Sequence, residues 1–236
     1  MRSRSCCPCW RTRSTRSAAG ITETTVAVNY WPVRLEHGEV GLRPLRRRDK
    51  AAWDAVRHFN RPWLQPWEAT YPPGGDPGPP TFAALVRELD RQARGGQMLP
   101  WALWFDPTRG AQPERARFVG QVTVSGITRG SAMFAQVGYW VDQRVAGRGL
   151  VPTAVAMATD YCFGELNLHR LEIAIRPENG NSLRVVHKLG FRYEGARPRY
   201  LHINGDWRDH EIYVLTREEL RGSLLERWES ARDKQK

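Results

Sequence analysis

A glycine-containing turn is the part of this sequence best suited to bind an anion. Residues 134–142 predict a strand, Arg144-Val-Ala-Gly147-Arg-Gly149 follows it, and a helix is predicted to begin at once. Glycine permits positive φ and close backbone approach, and the first turn of a helix presents unpaired N–H groups at the positive end of its dipole. Such a loop can bind a pyrophosphate, with charge-assisted contacts from Arg144 and Arg148.

Two common nucleotide-binding motifs do not describe this turn. The Walker pattern needs Gly-Lys followed by Ser or Thr, which the turn lacks. The dinucleotide pattern needs Gly-x-Gly-x-x-Gly after the first strand of a βαβ unit, whereas this turn follows several predicted strands. A tight turn without a ligand is the alternative interpretation.

A second polar segment follows the next predicted strand, residues 169–175. Asn179 lies just after that strand, and Ser182 lies just before a predicted helix at 183–189 that Gly190 would end. Both side chains can hydrogen-bond an extended ligand that carries amides. The alternative is an Asx turn at Asn179 with Ser182 as the N-cap of the helix.

The elements that must position these motifs follow from hydrophobic periodicity and turn residues. We predict a strand near 39–45, a helix capped by Asp49 that runs to Phe59, a helix opened by Thr81, strands at 99–105, 118–127 and 134–142, a helix from 150 to about 163, a strand at 169–175, a helix at 183–189, strands near 200–203 and 207–215 around the Asn204-Gly205 turn, and a terminal helix opened by Thr216. This order predicts an α/β (α+β) fold with one mixed central sheet in a single domain over 26–236.

Composition narrows the functional classes. The chain has 236 residues, of which 41% are hydrophobic and 26% charged, which excludes a wholly disordered protein. No apolar run approaches the roughly 18 residues of a membrane-spanning helix. The net charge of +11 favours polyanionic partners or phosphorylated cofactors.

Residues 1–25 are rich in Arg and Ser and contain Cys6, Cys7 and Cys9. We expect a disordered basic leader; a transit peptide and a cysteine metal site are the alternatives. No second Cys or His pair follows nearby, so we expect no metal. Cys162 stands alone, so there is no disulfide framework, and we expect a cytoplasmic protein.

Together, the two polar segments resemble motifs A and B of the GNAT superfamily of acetyl-CoA-dependent N-acetyltransferases, at about 134–163 and 169–195, with a C-terminal helix at 216–232. The resemblance covers roughly residues 38–216. Other segments resemble the RimJ/RimL-type ribosomal-protein alanine N-acetyltransferases: Leu42-Arg-Pro-Leu45, Trp63-Leu-Gln-Pro-Trp67-Glu68, Gly138-Tyr-Trp140, His169-Arg170, Leu189-Gly-Phe191, Glu194-Gly195 and Gly205-Asp-Trp-Arg-Asp-His210.

The resemblance implies a twisted sheet in which the fourth and fifth predicted strands, 134–142 and 169–175, splay apart around acetyl-CoA. The pantetheine amides would pair with the backbone of Trp140 and Val141, and the pyrophosphate would lie on 144–149. The implied cofactor-side residues are Trp140, Val141, Arg144, Ala146, Gly147, Arg148, Gly149, Asn179 and Ser182.

The implied reaction is direct acetyl transfer to a neutral amine. An α-amino group has a pKa of about 7.7–8.0 against about 10.4 for lysine, so a protein N-terminus asks less of the enzyme. We therefore expect the N-terminal amine of a protein, plausibly ribosomal, as acceptor, with no membrane and no specific nucleic acid as partner and a monomer or homodimer as the assembly. The alternatives are a small amine (antibiotic, amino acid or polyamine), or a ribosome- or RNA-binding protein in which catalysis is secondary or lost.

The catalytic groups stay open at this stage. Glu172, Glu194 and Glu68 are candidates for the base, although each could be an ordinary surface carboxylate. Val186 occupies the position where many superfamily members have a tyrosine acid, which leaves Ser182 or water as proton donor. A backbone N–H near Val141 could stabilise the oxyanion. Trp67, Glu68 and Tyr139 are the candidates to line the acceptor pocket.

Overall fold

The computed structural model describes residues 30–75 and 78–234. The predictions for residues 1–25, with Cys6, Cys7 and Cys9, lie outside the described residues. The eight strands are β1 (Leu35–His37), β2 (Val40–Pro44), β3 (Leu99–Phe105), β4 (Arg117–Thr128), β5 (Phe134–Val141), β6 (Arg170–Ile175), β7 (Arg192–Ile203) and β8 (Asp206–Thr216). The helices are α1 (Lys50–Phe59), α2 (Arg61–Leu64), α3 (Phe82–Arg94), α4 (Leu150–Gly164), α5 (Gly180–Leu189) and α6 (Leu224–Asp233).

The strands form one sheet in the order β1-β2-β3-β4-β5-β6-β8-β7. Every neighbouring pair is antiparallel except β5 and β6, which are parallel. This confirms the mixed central sheet that the order of elements predicts.

The two faces of the sheet are covered by different helices. On one face, α4 is apolar all round and almost wholly buried in the main core, which also includes residues of α5 and α6. On the other face, α1 and α3 pack on a smaller cluster that contains Leu45, Val56, Ala102 and Phe118. Within the described residues, no helix is both long and apolar enough to cross a bilayer.

The parallel pair β5 and β6 diverges soon after it begins. The two strands pair only at Phe134 with Arg170, Ala135 with Leu171 and Gln136 with Glu172. Residues 137–141 then continue along β4 without a partner on their other edge. The expected splay is therefore present, with its vertex at Gln136 and Glu172.

Two predicted caps differ from the structure in their hydrogen bonds. Asp49 is the N-cap residue of α1 as predicted, but its carboxylate makes no capping bond to that helix and instead accepts the Arg46 N–H at 2.8 Å, at the start of the preceding 3₁₀ turn. Ser182 does not cap α5. The cap is Asn179, whose Oδ1 accepts the Ser182 N–H at 3.1 Å.

Two predicted elements have different bounds in the structure, and one strand was not predicted. The three-residue strand β1 was not predicted, and β7 begins at Arg192, well before residue 200. The terminal helix is interrupted, because Thr216 and Glu219 form a capping box around a 3₁₀ turn and α6 then starts afresh with Ser223 as its cap. Thr81, Gly190 and the Asn204-Gly205 hairpin turn have the predicted roles.

Candidate active site

The gap between β5 and β6 opens into a cleft of about 910 Å³, measured with its open mouth. The cleft lies between β5, the turn that leads into α4, the start of α5, and α2 with the 3₁₀ turn after it. Its walls are formed by Trp63, Leu64, Trp67, Tyr139, Trp140, Val141, Val145, Ala146, Gly147, Gly149, Leu150, Val151, Pro152, Asn179, Asn181, Ser182, Arg184, Val185 and Lys188.

The backbone of Val141 is directed to the open side of β5. The Asp142 N–H donates to Val119 O at 2.7 Å, so alternation along the antiparallel ladder turns the N–H and C=O of Val141 away from β4. Its carbonyl accepts the Trp63 Nε1–H at 3.2 Å. The N–H of Val141 points to the same side and is available to a ligand.

The backbone of Trp140 is not directed toward the cleft, where the resemblance implies that it would pair with the pantetheine amides. Its register partner on β4 is Gln121, and its carbonyl lies so close to Gly120 that a Cβ there would be 2.2 Å from the oxygen. The backbone of Trp140 therefore faces β4. Its indole Nε1 donates to Gln121 Oε1 at 3.0 Å. Of the two residues expected to pair with pantetheine, only Val141 has free backbone on the cleft side.

The turn before α4 divides into two halves. The first half is internally bonded: the Arg144 N–H donates to Asp142 Oδ1 at 3.0 Å, that of Val145 to Asp142 O at 3.0 Å, and that of Ala146 to Gln143 O at 3.2 Å. In the second half, the N–H groups of residues 147–149 have no acceptor within the described part of the chain. The segment with free amides, residues 147–149, is therefore shorter than the 144–149 expected to hold the pyrophosphate.

Glycine is required in that second half. Gly147 and Gly149 both have φ of +81°, a conformation that L side chains rarely adopt. A Cβ on Gly147 would meet nothing within 4 Å. The free amides of this half and the N-terminus of α4 provide a suitable cradle for a diphosphate.

The buried carboxylate of Asp142 holds the first half in place. It accepts hydrogen bonds from Arg144 Nε at 2.9 Å and from Asn60 Nδ2 at 3.1 Å, while Asn60 Oδ1 accepts the Gln143 N–H at 2.8 Å. Burial opposes ionisation of Asp142, but the hydrogen bonds from Arg144 prevail and lower the pKa of its carboxyl below the usual value.

The two arginines of the turn do not line the cleft, contrary to the expected phosphate contacts. The Arg144 guanidinium is committed to Asp142 and lies over the ring of Phe59, 4.3 Å from its centroid. That of Arg148 lies 5.8 Å from the ring centroid of Phe105. The cations that do line the cleft are Arg184 and Lys188, one turn apart on α5. Sequence reasoning missed them, although their i, i+4 spacing places the two cations on one face of α5.

Asn179 and Ser182 both reach the cleft, where the Ser182 hydroxyl is the available donor. Tyr139 lies against α5, with its hydroxyl 3.4 Å from Ser182 O. Burial raises the pKa of the Tyr139 phenol, which therefore stays protonated. Val186, at the position of the expected tyrosine acid, is fully buried.

None of the three candidate carboxylates lines the cleft, and each is held by arginine. Glu172 is only 6% exposed, so the solvent-facing alternative is wrong. Its two oxygens accept Arg170 at 2.6 Å and Arg197 at 3.1 Å. Glu194 pairs with Arg170, which lowers the pKa of Glu194 to about 2. Such a carboxylate is a weak proton acceptor.

Glu68 is likewise paired, with Arg57. Its backbone joins the β7–β8 hairpin, because the Asn204 N–H donates to Glu68 O at 3.0 Å and the Thr70 N–H donates to His202 O at 2.9 Å. This bridge fixes the neighbouring Trp67 at the wall of the cleft. The structure thus brings together Trp67, Tyr139, Trp140, Val141, Ala146, Gly147, Gly149, Asn179 and Ser182, and places Glu68, Arg144, Arg148, Glu172 and Glu194 outside the lining.

Comparison with known proteins identifies the family and the fold. Residues 39–192 match the family model described as Acetyltransferase (GNAT) domain. The chain belongs to the GNAT acetyltransferase family. It is 30% identical over 192 residues to the ribosomal protein uS5-alanine N-acetyltransferase of Escherichia coli, an alignment that covers 78% of this chain and 91% of that protein.

A solved structure, Mycobacterium smegmatis RimJ in complex with CoA-disulfide, superposes with a TM-score of 0.76 at 37% identity and covers 86% of this chain and 96% of RimJ. A 39% identity to the probable N-acetyltransferase YjcK of Bacillus subtilis extends over 99 residues, 42% of this chain and 55% of YjcK. The predicted family and fold are confirmed. The GNAT enzyme uses acetyl-CoA as its acetyl donor and is related to ribosomal-protein acetyltransferases. Its described residues contain no cluster of three or more His, Cys, Asp or Glu suited to a metal ion.

Proposed function

We propose that this GNAT enzyme acetylates the N-terminal α-amine of a protein, and that its acceptor is a ribosomal protein. The observation that carries the proposal is the extent of the similarity to ribosomal-protein alanine acetyltransferases, which spans 78% of this chain and 91% of the uS5-alanine enzyme. A likeness over nearly the whole relative includes the segments that shape the acceptor side as well as those that hold acetyl-CoA.

The charges beside the cleft favour a protein N-terminus over a polyamine. A polycationic acceptor needs free carboxylates to replace its hydration, whereas Glu68 pairs with Arg57 and Glu172 pairs with Arg170 and Arg197. These two carboxylates are therefore neutralised by the chain itself. An α-amine carries at most one positive charge and does not need such an acidic groove.

Each part of the site has a separate task in this scheme. Residues 147–149, with Arg184 and Lys188, hold the phosphates, and the strand edge at Val141 positions the acyl end. The free Val141 N–H stabilises the negative charge that develops on the thioester oxygen. The Ser182 hydroxyl, alone or with water, returns a proton to the departing thiolate.

Three acceptors test the proposal with the wild-type enzyme and acetyl-CoA. The first is a peptide with a free N-terminal alanine and an internal lysine, the second is the same peptide with a blocked N-terminus, and the third is spermidine. Mass spectrometry should find acetylation of the α-amine in the first peptide only. Acetylation of the internal lysine in the blocked peptide, or of spermidine alone, would overturn the proposal.

A further inference from the structure

His210, on β8, has an unused basic nitrogen in a buried position. The residue is 3% exposed, and its Nδ1 lies 2.9 Å from Arg208 O. A carbonyl oxygen only accepts, so Nδ1 carries the proton and Nε2 carries a lone pair. In the described ranges Nε2 has no hydrogen-bond partner. Although the residue is almost wholly buried, Nε2 itself is not sealed from solvent: the buried side-chain nitrogens that lack a partner in the described chain are those of Trp104, Arg176, Arg208 and Arg232.

The imidazole packs beside Tyr200, close to the vertex of the splay, and is not itself part of the cleft lining. Toward the vertex, its ring centroid is 6.0 Å from that of Tyr200, whose hydroxyl accepts Gln136 Nε2–H at 2.8 Å. Gln136 belongs to the last pair before β5 and β6 separate. The charge of Arg176 acts on His210, and the guanidinium of Arg176 lies 5.3 Å from the ring centroid of Trp67, a lining residue.

The same region contains the carboxylates that sequence reasoning put forward as bases. Glu172 and Glu194 are held by Arg170 and further arginines, and Glu68 is held by Arg57. Proton transfer to any of them would disrupt an ion pair. Nε2 of His210 can accept a proton without breaking any contact of the described structure.

We infer that His210 is the general base of the reaction and takes the proton of the acceptor ammonium at Nε2, directly or through one water. The C–N bond forms as the C–S bond breaks. Of the two protons left on the attacking nitrogen, one goes to the thiolate through Ser182 or water and the other stays on the amide, and the imidazolium returns its proton to solvent. The balance is one amide, one thiol and one released proton. The inference rests on the proposed function only for the identity of the amine.

The surroundings of His210 keep Nε2 unprotonated at neutral pH, so that it can accept a proton. Burial is the main cause that lowers the pKa of His210 below its ordinary value, and the positive charge of Arg176 acts in the same direction. The hydrogen bond to Arg208 O and the charges of Asp209 and Glu178 oppose that shift without reversing it. The imidazole is therefore neutral at pH 7. Its basicity lies closer to an α-amine, with a pKa of about 7.7–8.0, than to lysine at about 10.4.

The test compares His210→Asn with wild type through kcat/KM over pH from about 5 to about 9. The asparagine side chain can still donate a hydrogen bond to Arg208 O but has no nitrogen that accepts a proton. Wild type should show a bell, with its acid limb below about 6.5 from His210 and its basic limb from the amine. The variant should lose the acid limb that His210 causes below about 6.5; its activity should rise with pH up to the amine pKa instead and be about 10²–10⁴-fold slower near neutrality.

His202→Asn is the matched control, because His202 is on the same hairpin and its Nδ1 already contacts Thr70 Oγ1 at 2.9 Å. It should retain the wild-type bell. An unchanged acid limb in His210→Asn, with activity near wild type, would overturn the assignment. Calorimetry with CoA checks that the variant still folds and binds the donor.

A measurement on wild type covers the case in which the variant fails to fold. Nitrogen-15 spectra should show His210 as the Nδ1–H tautomer at pH 7, with protonation below about pH 6.5. A proton on Nε2 at pH 7 would overturn the assignment. The pH profile can use whichever amine wild type acetylates. Failure of the peptide acceptor therefore refutes only the proposed function, and loss of the acid limb still identifies the base.

Discussion

The indole N–H of Trp63 donates to the backbone carbonyl of Val141 at 3.2 Å, and this bond joins α2 to the open edge of β5. The carbonyl of Val141 is thereby used by the protein, while its N–H stays free for the donor substrate. The proline-rich segment around α2 thus completes the cleft, although its sequence alone gives no sign of a contact with a strand almost eighty residues later.

Removal of that hydrogen bond should weaken the donor site. In Trp63→Phe the ring is largely kept and the N–H is lost, so we expect the KM for acetyl-CoA to rise about 2–10-fold, in line with the net value of one hydrogen bond. Trp53→Phe is the control, because the Trp53 indole donates to Gln121 at 3.4 Å instead of to Val141. Equal effects of the two substitutions would show that the bond to Val141 has no special role.

A charge in the second half of the glycine turn should abolish donor binding. Gly147→Asp puts a carboxylate where the diphosphate must lie, and we expect calorimetry to show at least a hundredfold loss of acetyl-CoA affinity, about 3 kcal/mol. Gly130→Asp controls for charge and strain, because Gly130 also has positive φ with nothing within 4 Å but lies in the turn between β4 and β5. Unchanged affinity in Gly147→Asp would refute the phosphate site.

The sequence predicts the bounds of an element best when the residues of that element and its flanking turns carry the signal. The sequence defines β3 completely, with Leu99–Phe105 as predicted, because a short continuous apolar run bounded by turn residues is a local signal. It misses β1, because three residues give too little periodicity. The interruption before α6 had a local signal in Gly222, with φ of +88°, and in the following cap Ser223.

The site is harder to predict because side-chain partners are set by tertiary contacts. The turn and Asn179 are recognisable by their residue types, and both reach the cleft. Nothing in the spacing shows that Asp142 would bind Arg144, or that Glu172 would be buried between arginines of β6 and β7. These ion pairs decide which charges remain available to substrates.

The cations on α5 provide a direct comparison between the two views of the phosphate site. We expect the double substitution Arg184→Gln with Lys188→Gln to weaken CoA binding about tenfold and to flatten its dependence on salt. Arg148→Gln should change affinity less than about twofold, because that side chain lies beside Phe105 outside the lining. The reverse order of effects would restore the expected contact from Arg148.

Gly120 is required by the close approach of β4 and β5. A Cβ at this position would be 2.2 Å from Trp140 O and 3.0 Å from Val141 Cα. We therefore expect Gly120→Ala to lower the free energy of unfolding in urea by about 1–3 kcal/mol. Gly138→Ala is the control on β5, since its Cβ would meet nothing within 4 Å, and it should not destabilise the fold. Similar losses in both variants would contradict the close approach.

Stability should fall in acid partly through Glu194. The hydrogen bond from Arg170 lowers the pKa of Glu194 to about 2 from an ordinary 4.5, so the folded state favours the carboxylate. A depressed carboxyl pKa stabilises the fold above the unfolded pKa, and that contribution disappears as the pH falls from about 4.5 through about 2. Urea unfolding across this window should therefore show a shallower loss of stability in Glu194→Gln than in wild type.

Glu114→Gln, at an exposed residue that forms no ion pair in the described chain, should keep the wild-type slope. Since Glu194 is partly exposed, added salt should shrink the difference between Glu194→Gln and wild type, and a difference that persists in high salt would point to a cause other than this ion pair.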